Sequence, residues 1–244
     1  MVRLLDNESL ERSSVVANCA MNRERGLTGS NGYGRELGID VVDLITDRLS
    51  RGGETFHWLD LCCGTGTALL ECARLVDDPR LRITGVDLVD FFAGPPHAGV
   101  ELVTGPVESF APRRSFDLVT CVHGLHYVGD KLDVLARAAS WLTADGVLVA
   151  NLDLAAVVSA DGRPWGRRLT GSLRSAGFDY DSRRRRVRCV GRRQVDLPFH
   201  YLGADDQAGP NYTGQPAVNS HYADATPPVN RRSTEPRGPA GHLR

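Results

Sequence analysis

With 244 residues, 41% of them hydrophobic, and a formal net charge of −1, the chain has room for one α/β domain with additions. It lacks the overall basic field that draws proteins to nucleic acid or anionic membranes. No apolar run approaches the roughly 18–20 residues a membrane span needs, and the opening MVRLLDNESLERSSVV carries acids without the apolar core of a signal peptide.

Cys19, Cys62, Cys63, Cys72, Cys121 and Cys189 fall mostly inside apolar stretches, with no paired CxxC spacing. Reduced, buried thiols, no metal site and a cytoplasmic setting are therefore expected.

In chain order, residues 1–55 read as an N-terminal helical cap or lid. Val41, Ile45 and Leu49 share one helical face, and Gly52-Gly53 ends that pattern. The Gly- and Asn-rich stretch between Met21 and Gly38 reads as a loop or broken helix. Residues 56–203 read as the main domain, where strands alternate with helices. Strands are predicted at Phe56–Leu61, at Leu81–Leu88, at Val100–Val103, at Phe116–Val122 and at Gly146–Leu152. Leu69, Cys72, Ala73 and Val76 mark one crossover helix; Leu132, Leu135, Ala136 and Ala139 mark another, ending near Trp141. Between Leu88 and Val100, Pro95-Pro96 and two glycines leave room for one helical turn at most. A helix over Trp165–Ala176 follows, then extended stretches Phe178–Val190 and Arg193–Leu202, expected to pair antiparallel at the sheet edge. Residues 204–244 read as a Gly/Pro-rich, partly irregular tail, disordered from about Asp224, with Tyr212, His221 and Tyr222 able to dock its earlier part. The expected fold is a doubly wound, mostly parallel, Rossmann-like α/β sheet with an antiparallel edge.

The chemistry centres on Asp60-Leu61-Cys62-Cys63-Gly64-Thr65-Gly66. Ligands of open α/β sheets bind beyond the carboxyl ends of the strands, where strand order reverses. Glycines at a strand exit let backbone approach a ligand, and the following helix offers free N–H groups. A dinucleotide fingerprint needs a third small residue where Leu69 stands, and no Gly-Lys-Ser/Thr follows to make a phosphate loop.

DLCCGTG resembles the first motif, commonly DLGCGTG, of class I S-adenosylmethionine-dependent methyltransferases; Cys62 departs from it, and a positive φ there would be strained. ITGVDL, GPVESF, FDLVTCVHGLHYVGD and LTADGVLVANLD are similar to the family's later motifs, in order from Phe56 to Asp153. The resemblance implies an enzyme that binds S-adenosylmethionine and leaves S-adenosylhomocysteine. It implies a cofactor site of Asp60, Cys62, Gly64, Thr65, Gly66, Asp87, Leu88, Val107, Glu108, Cys121 and His123, with Asp87 on the ribose hydroxyls and Val107 and Glu108 beside the adenine. Asp60 and Asp87 could alternatively cap strand-end turns, and Glu108 could be a solvated loop acid. Tyr33 is a candidate to cover the methionine portion and Arg35 to pair with its carboxylate, against a plain surface loop.

His123 and His126 are candidate general bases, the alternative being a structural histidine at 126. The run Arg183–Arg186 with Arg188, Arg192 and Arg193 reads as a charged sheet edge without aromatic neighbours for base stacking. A small-molecule acceptor, as in secondary metabolism, is the leading expectation; nucleic acid is not expected, and a homodimer is compatible with the sequence. The competing readings are RNA or protein methylation through the arginine strip, and a non-catalytic cofactor-binding partner subunit.

Overall fold

The computed structural model describes residues 2–17, 24–52 and 54–225. Four short helices open the chain: α1 (Asn7–Glu11), α2 (Ser14–Ala17), α3 (Tyr33–Leu37) and α4 (Val41–Ser50). Asp40 caps α4 by accepting from the Asp43 amide at 3.0 Å, and Val41, Ile45 and Leu49 are buried as their spacing predicts. Cys19, Gly53 and the predicted disorder beyond Ala225 lie outside the described residues.

The main sheet has the order β3-β2-β1-β4-β5-β8-β7, built from β1 (Phe56–Leu61), β2 (Leu81–Asp87), β3 (Val100–Thr104), β4 (Phe116–Cys121), β5 (Leu142–Asn151), β7 (Phe178–Asp181) and β8 (Arg186–Val190). Its first five strands are parallel, and β8 runs antiparallel to both of its neighbours, β5 and β7. The order reverses between β1 and β4, which opens a crevice at the carboxyl ends of those strands, where open α/β sheets commonly take ligands. Helix α5 (Thr67–Val76) buries Leu69, Cys72 and Ala73, α6 (Lys131–Ser140) follows β4, and α7 (Arg167–Ser175) precedes β7. The buried face of α6 includes Val134 and Ala138, whereas Ala136 is only partly buried. No helix forms between β2 and β3, as the two prolines require.

Two expectations are corrected. Phe178–Val190 is itself a hairpin: Asp181 accepts from the amides of Arg183 and Arg184 at 3.0 Å each, closing a turn inside the arginine run. Arg193–Leu202 does not pair with it. After Gly191 the chain turns back over α6, with the Arg193 amide on the Ala139 carbonyl at 3.1 Å.

The tail is also more regular than its composition implies. β9 (Phe199–Asp205) and β10 (Asn219–Asp224) join β6 (Val157–Ser159) in a second sheet of order β6-β10-β9. Burial of Val218, Ser220, His221 and Tyr222 fixes β10, and Leu10 and Val16 from the first two helices pack on Val218 and Ala204. The N-terminal residues thus divide: α1 and α2 lie on the tail sheet, whereas α3 and α4 cover the main one. No helix among the described residues is long and apolar enough to cross a membrane.

Candidate active site

At the exit of β1 the backbone enters the left-handed region three times within five residues, at Cys62 (φ 57°), Gly64 (φ 60°) and Gly66 (φ 72°). Cys62 therefore occupies a position glycine would take without strain, at a cost on the order of 1 kcal/mol. Opposite it stands Gly124, where a Cβ would come 2.3 Å from that of Cys62. The bulk added at 62 is accommodated by its absence at 124. A hydrogen bond with Cys121 and burial hold the Cys62 thiol well above its usual pKa, so it is no thiolate nucleophile.

Asp87, at the end of β2, turns toward this loop. One carboxylate oxygen accepts from the Gly64 amide at 2.8 Å and the other from the Val89 amide at 3.3 Å. Cys62, Asp87, Leu88, Val107, Glu108 and Gly124 line one cavity, closed by Leu10, Glu11, Val16, Tyr127 and neighbouring residues to about 60 Å³. Glu108 is no free surface acid, since it also accepts from the Gly129 amide at 3.2 Å. Burial and the Glu108 charge raise the pKa of Glu11. Leu10, Glu11 and Val16 escaped the sequence reading because no local pattern relates α1 to β2 or β4.

Asp60 and Tyr33 sit beneath the loop and off the cavity. Asp60 is fully buried; the Tyr33 hydroxyl donates to it at 2.7 Å, and Thr120, itself bonded by the Trp58 indole at 2.7 Å, donates to its other oxygen. Tyr33 packs edge-on against Trp58, so it anchors α3 to the sheet. Burial raises the Asp60 carboxyl to about 7 against those two donors. Between about 4, where the unfolded aspartate ionises, and about 7, the folded chain keeps a proton that the unfolded one releases. Stability from this group is therefore complete below about 4 and is lost as pH rises through about 7. Melting temperatures of wild type and Asp60→Asn, compared from about pH 4 to 8, should diverge in favour of the variant; a constant difference would contradict this.

At the exit of β4, His123 also has a positive φ (58°), and its ring joins three elements. Its Nε2 lies 3.0 Å from a Glu36 carboxylate oxygen on α3, its Nδ1 3.2 Å from His126 Nε2 and 3.5 Å from the Tyr212 hydroxyl in the tail. A carboxylate only accepts, so His123 Nε2 carries a hydrogen and Nδ1 of the neutral ring is an acceptor. His126 then donates from Nε2, which leaves its buried Nδ1 as a lone pair without a partner. Burial and the His123 ring push His126 down to about 3, which keeps it neutral. Hydrogen bonding to His123 lowers the pKa of Glu36, keeping it ionised. Glu36 and Tyr212 are far from His123 in sequence and carried no motif. Of the four non-glycine residues with positive φ among those described, Cys62, His123 and Arg185 surround this crevice; the fourth, Asp77, is a helix C-cap.

The arginine run lies on and before β8, and Arg185 rests over the Tyr212 ring at 4.0 Å, so the run does have an aromatic neighbour. Arg35 is exposed, donates to the Ser30 carbonyl at 3.1 Å, and lies off the cavity lined by Asp87 and Glu108. No cluster of three or more metal-ligating side chains exists among the described residues.

Residues 59–148 match the family described as "Methyltransferase domain". Similar solved structures include S-adenosylmethionine-bound CalS10, an amino pentose methyltransferase from Micromonospora echinaspora. It is 27% identical, over 46% of this chain and 48% of that one, with TM-score 0.35. DesVI of Streptomyces venezuelae is 23% identical over 61% and 58%, with TM-score 0.37. A putative methyltransferase from Bacillus halodurans is 18% identical over 58% and 70%, with TM-score 0.40. The match to CalS10 thus spans about half of that protein's length. No curated protein matches. Residues 59–148 thus match a methyltransferase domain, and they lie within a doubly wound α/β sheet.

Proposed function

We propose that the chain is a methyltransferase that uses S-adenosylmethionine to methylate a small-molecule acceptor. The observation that carries this reading is the convergence of the β1, β2 and β4 exits and the segment after β3 on one cavity. In it Asp87 would take the ribose hydroxyls, Val107 and Glu108 the adenine, and the loop of Cys62, Gly64, Thr65 and Gly66 would follow the rest of the cofactor toward Gly124 and His123. Pockets for such ligands run to roughly 300–1,000 Å³, and α1 and α2, which supply Leu10, Glu11 and Val16 to the lining, would move outward on binding.

S-adenosylmethionine supplies the methyl group as a sulfonium. The chain's own part is to hold an acceptor in line and to take its proton. Between the two histidines the geometry favours His123. Glu36 fixes its tautomer and would stabilise the imidazolium formed once His126 turned its N–H away and freed Nδ1 to accept a proton, whereas His126 is too weak a base.

Calorimetric titration with S-adenosylmethionine, followed by mass-spectrometric search of metabolite extracts for compounds that gain one CH2, tests the proposal. Failure to bind the cofactor overturns it, and binding without any methylated product would favour a partner subunit. On the acceptor so found, His123→Gln should lower turnover by about 100-fold or more with cofactor affinity retained. Unchanged turnover would remove His123 from the chemistry.

A further inference from the structure

Arg35, Glu36, Arg184 and Arg186, with Gly34 and Gly38, line a second cleft of about 790 Å³. Resting on the methyltransferase reading, we infer that this cleft is the acceptor site and that the acceptor bears an oxyanion, a phosphate or carboxylate group, held by Arg35, Arg184 and Arg186.

Placement supports the assignment. Arg186 pairs with Asn151, the last residue of β5, so the cleft opens on the same carboxyl edge of the sheet as the cofactor cavity. Its Glu36 reaches His123, whose neighbour Gly124 lines that cavity. His123, itself buried, thus contacts one lining residue of each space.

Edge protection does not explain these arginines. The edge strand is β7, which carries Asp179 and Asp181; β8 lies inside, between β5 and β7. Three guanidinium groups face one lining carboxylate, and Asp181 offsets them in part, 3.2 Å from Arg184 and 4.0 Å from Arg186 Nη2. Arg186 Nη1 is buried without a hydrogen-bond partner, an arrangement that a native protein rarely leaves unused. Between Arg184 and Arg186, Arg185 holds a φ of 48°, which glycine would adopt without strain, and its side chain goes to Tyr212 instead. A guanidinium fork matches a phosphate or carboxylate bidentately and is weakly hydrated. The cleft has no aromatic lining to stack bases, which favours a small anion over RNA.

Titration of the full chain with inorganic pyrophosphate, and separately with succinate, tests this and distinguishes phosphate from carboxylate. The exposed pair Arg35→Ala/Arg184→Ala should bind the preferred anion about tenfold more weakly, from lost charge-assisted hydrogen bonds. Its melting temperature and S-adenosylhomocysteine affinity should match wild type. Binding of neither anion by wild type, equal binding by the variant, or RNA binding that pyrophosphate does not displace would overturn the inference. Loss of the methyltransferase reading would show separately, as wild type that fails to bind S-adenosylhomocysteine.

Discussion

Lys131→Met should destabilise the protein by about 2–6 kcal/mol and release the C-terminal strands from the main domain. Lys131 opens α6 yet is 1% exposed. Its ammonium donates to the Val128 carbonyl at 2.8 Å, the Val218 carbonyl at 2.9 Å and the Ser220 hydroxyl at 2.8 Å. Those are all three donors an ammonium has. Ser220 in turn donates to the Gly129 carbonyl at 2.5 Å, and the Tyr222 hydroxyl to Asp130 at 2.9 Å, so β10 is tied to the start of α6. Burial drives the lysine down to about 7, so the three acceptors offset a substantial desolvation penalty. Methionine fills the space but leaves two buried carbonyls without a donor, at about 1–3 kcal/mol each. Thermal unfolding followed by circular dichroism should show a fall of roughly 10 °C, and proteolysis should reach β10 first. A melting temperature within about 1 °C of wild type would show that the lysine is dispensable.

Asp87→Ala should weaken S-adenosylmethionine binding by about 1–3 kcal/mol, roughly 5- to 150-fold. Two losses combine. The vicinal hydroxyls of a ribose lose a two-oxygen acceptor, and the Gly64 amide loses the partner that sets the turn at 2.8 Å. Because Asp87 is nearly buried, no water stands in freely for either. Equilibrium dialysis with labelled cofactor reads the effect, with a thermal melt as control for folding. Equal affinity in a folded variant would move the ribose site away from β2.

Much of this was legible in the sequence. The strands β1, β2, β4 and β5 are apolar runs ended by glycine or acid, and the convergence of Cys62, Asp87, Leu88, Val107 and Glu108 follows from strands that all point the same way. The strained backbone at Cys62 was likewise implied by a side chain standing where the motif has glycine. The bond from Tyr33 to Asp60 was not legible, because a tyrosine between glycines says nothing of whether its hydroxyl meets solvent, a ligand or a buried acid. The pairing of β10 with β6 and β9 depends on contacts across long stretches of chain, such as Lys131 with Ser220, so composition alone made that segment look irregular. Glu36 and Tyr212 were missed for the same reason: the His123 cluster assembles from the N-terminal segment, β4 and the tail, and no spacing encodes it.

The most direct test is a crystal structure of the protein with S-adenosylhomocysteine. The ribose hydroxyls should lie on Asp87, the adenine between Val107 and Glu108, and the sulfur toward Gly124 and His123, with α1 and α2 displaced outward. Ligand bound in the arginine-lined cleft, or on any surface away from Asp87, would contradict the assignment.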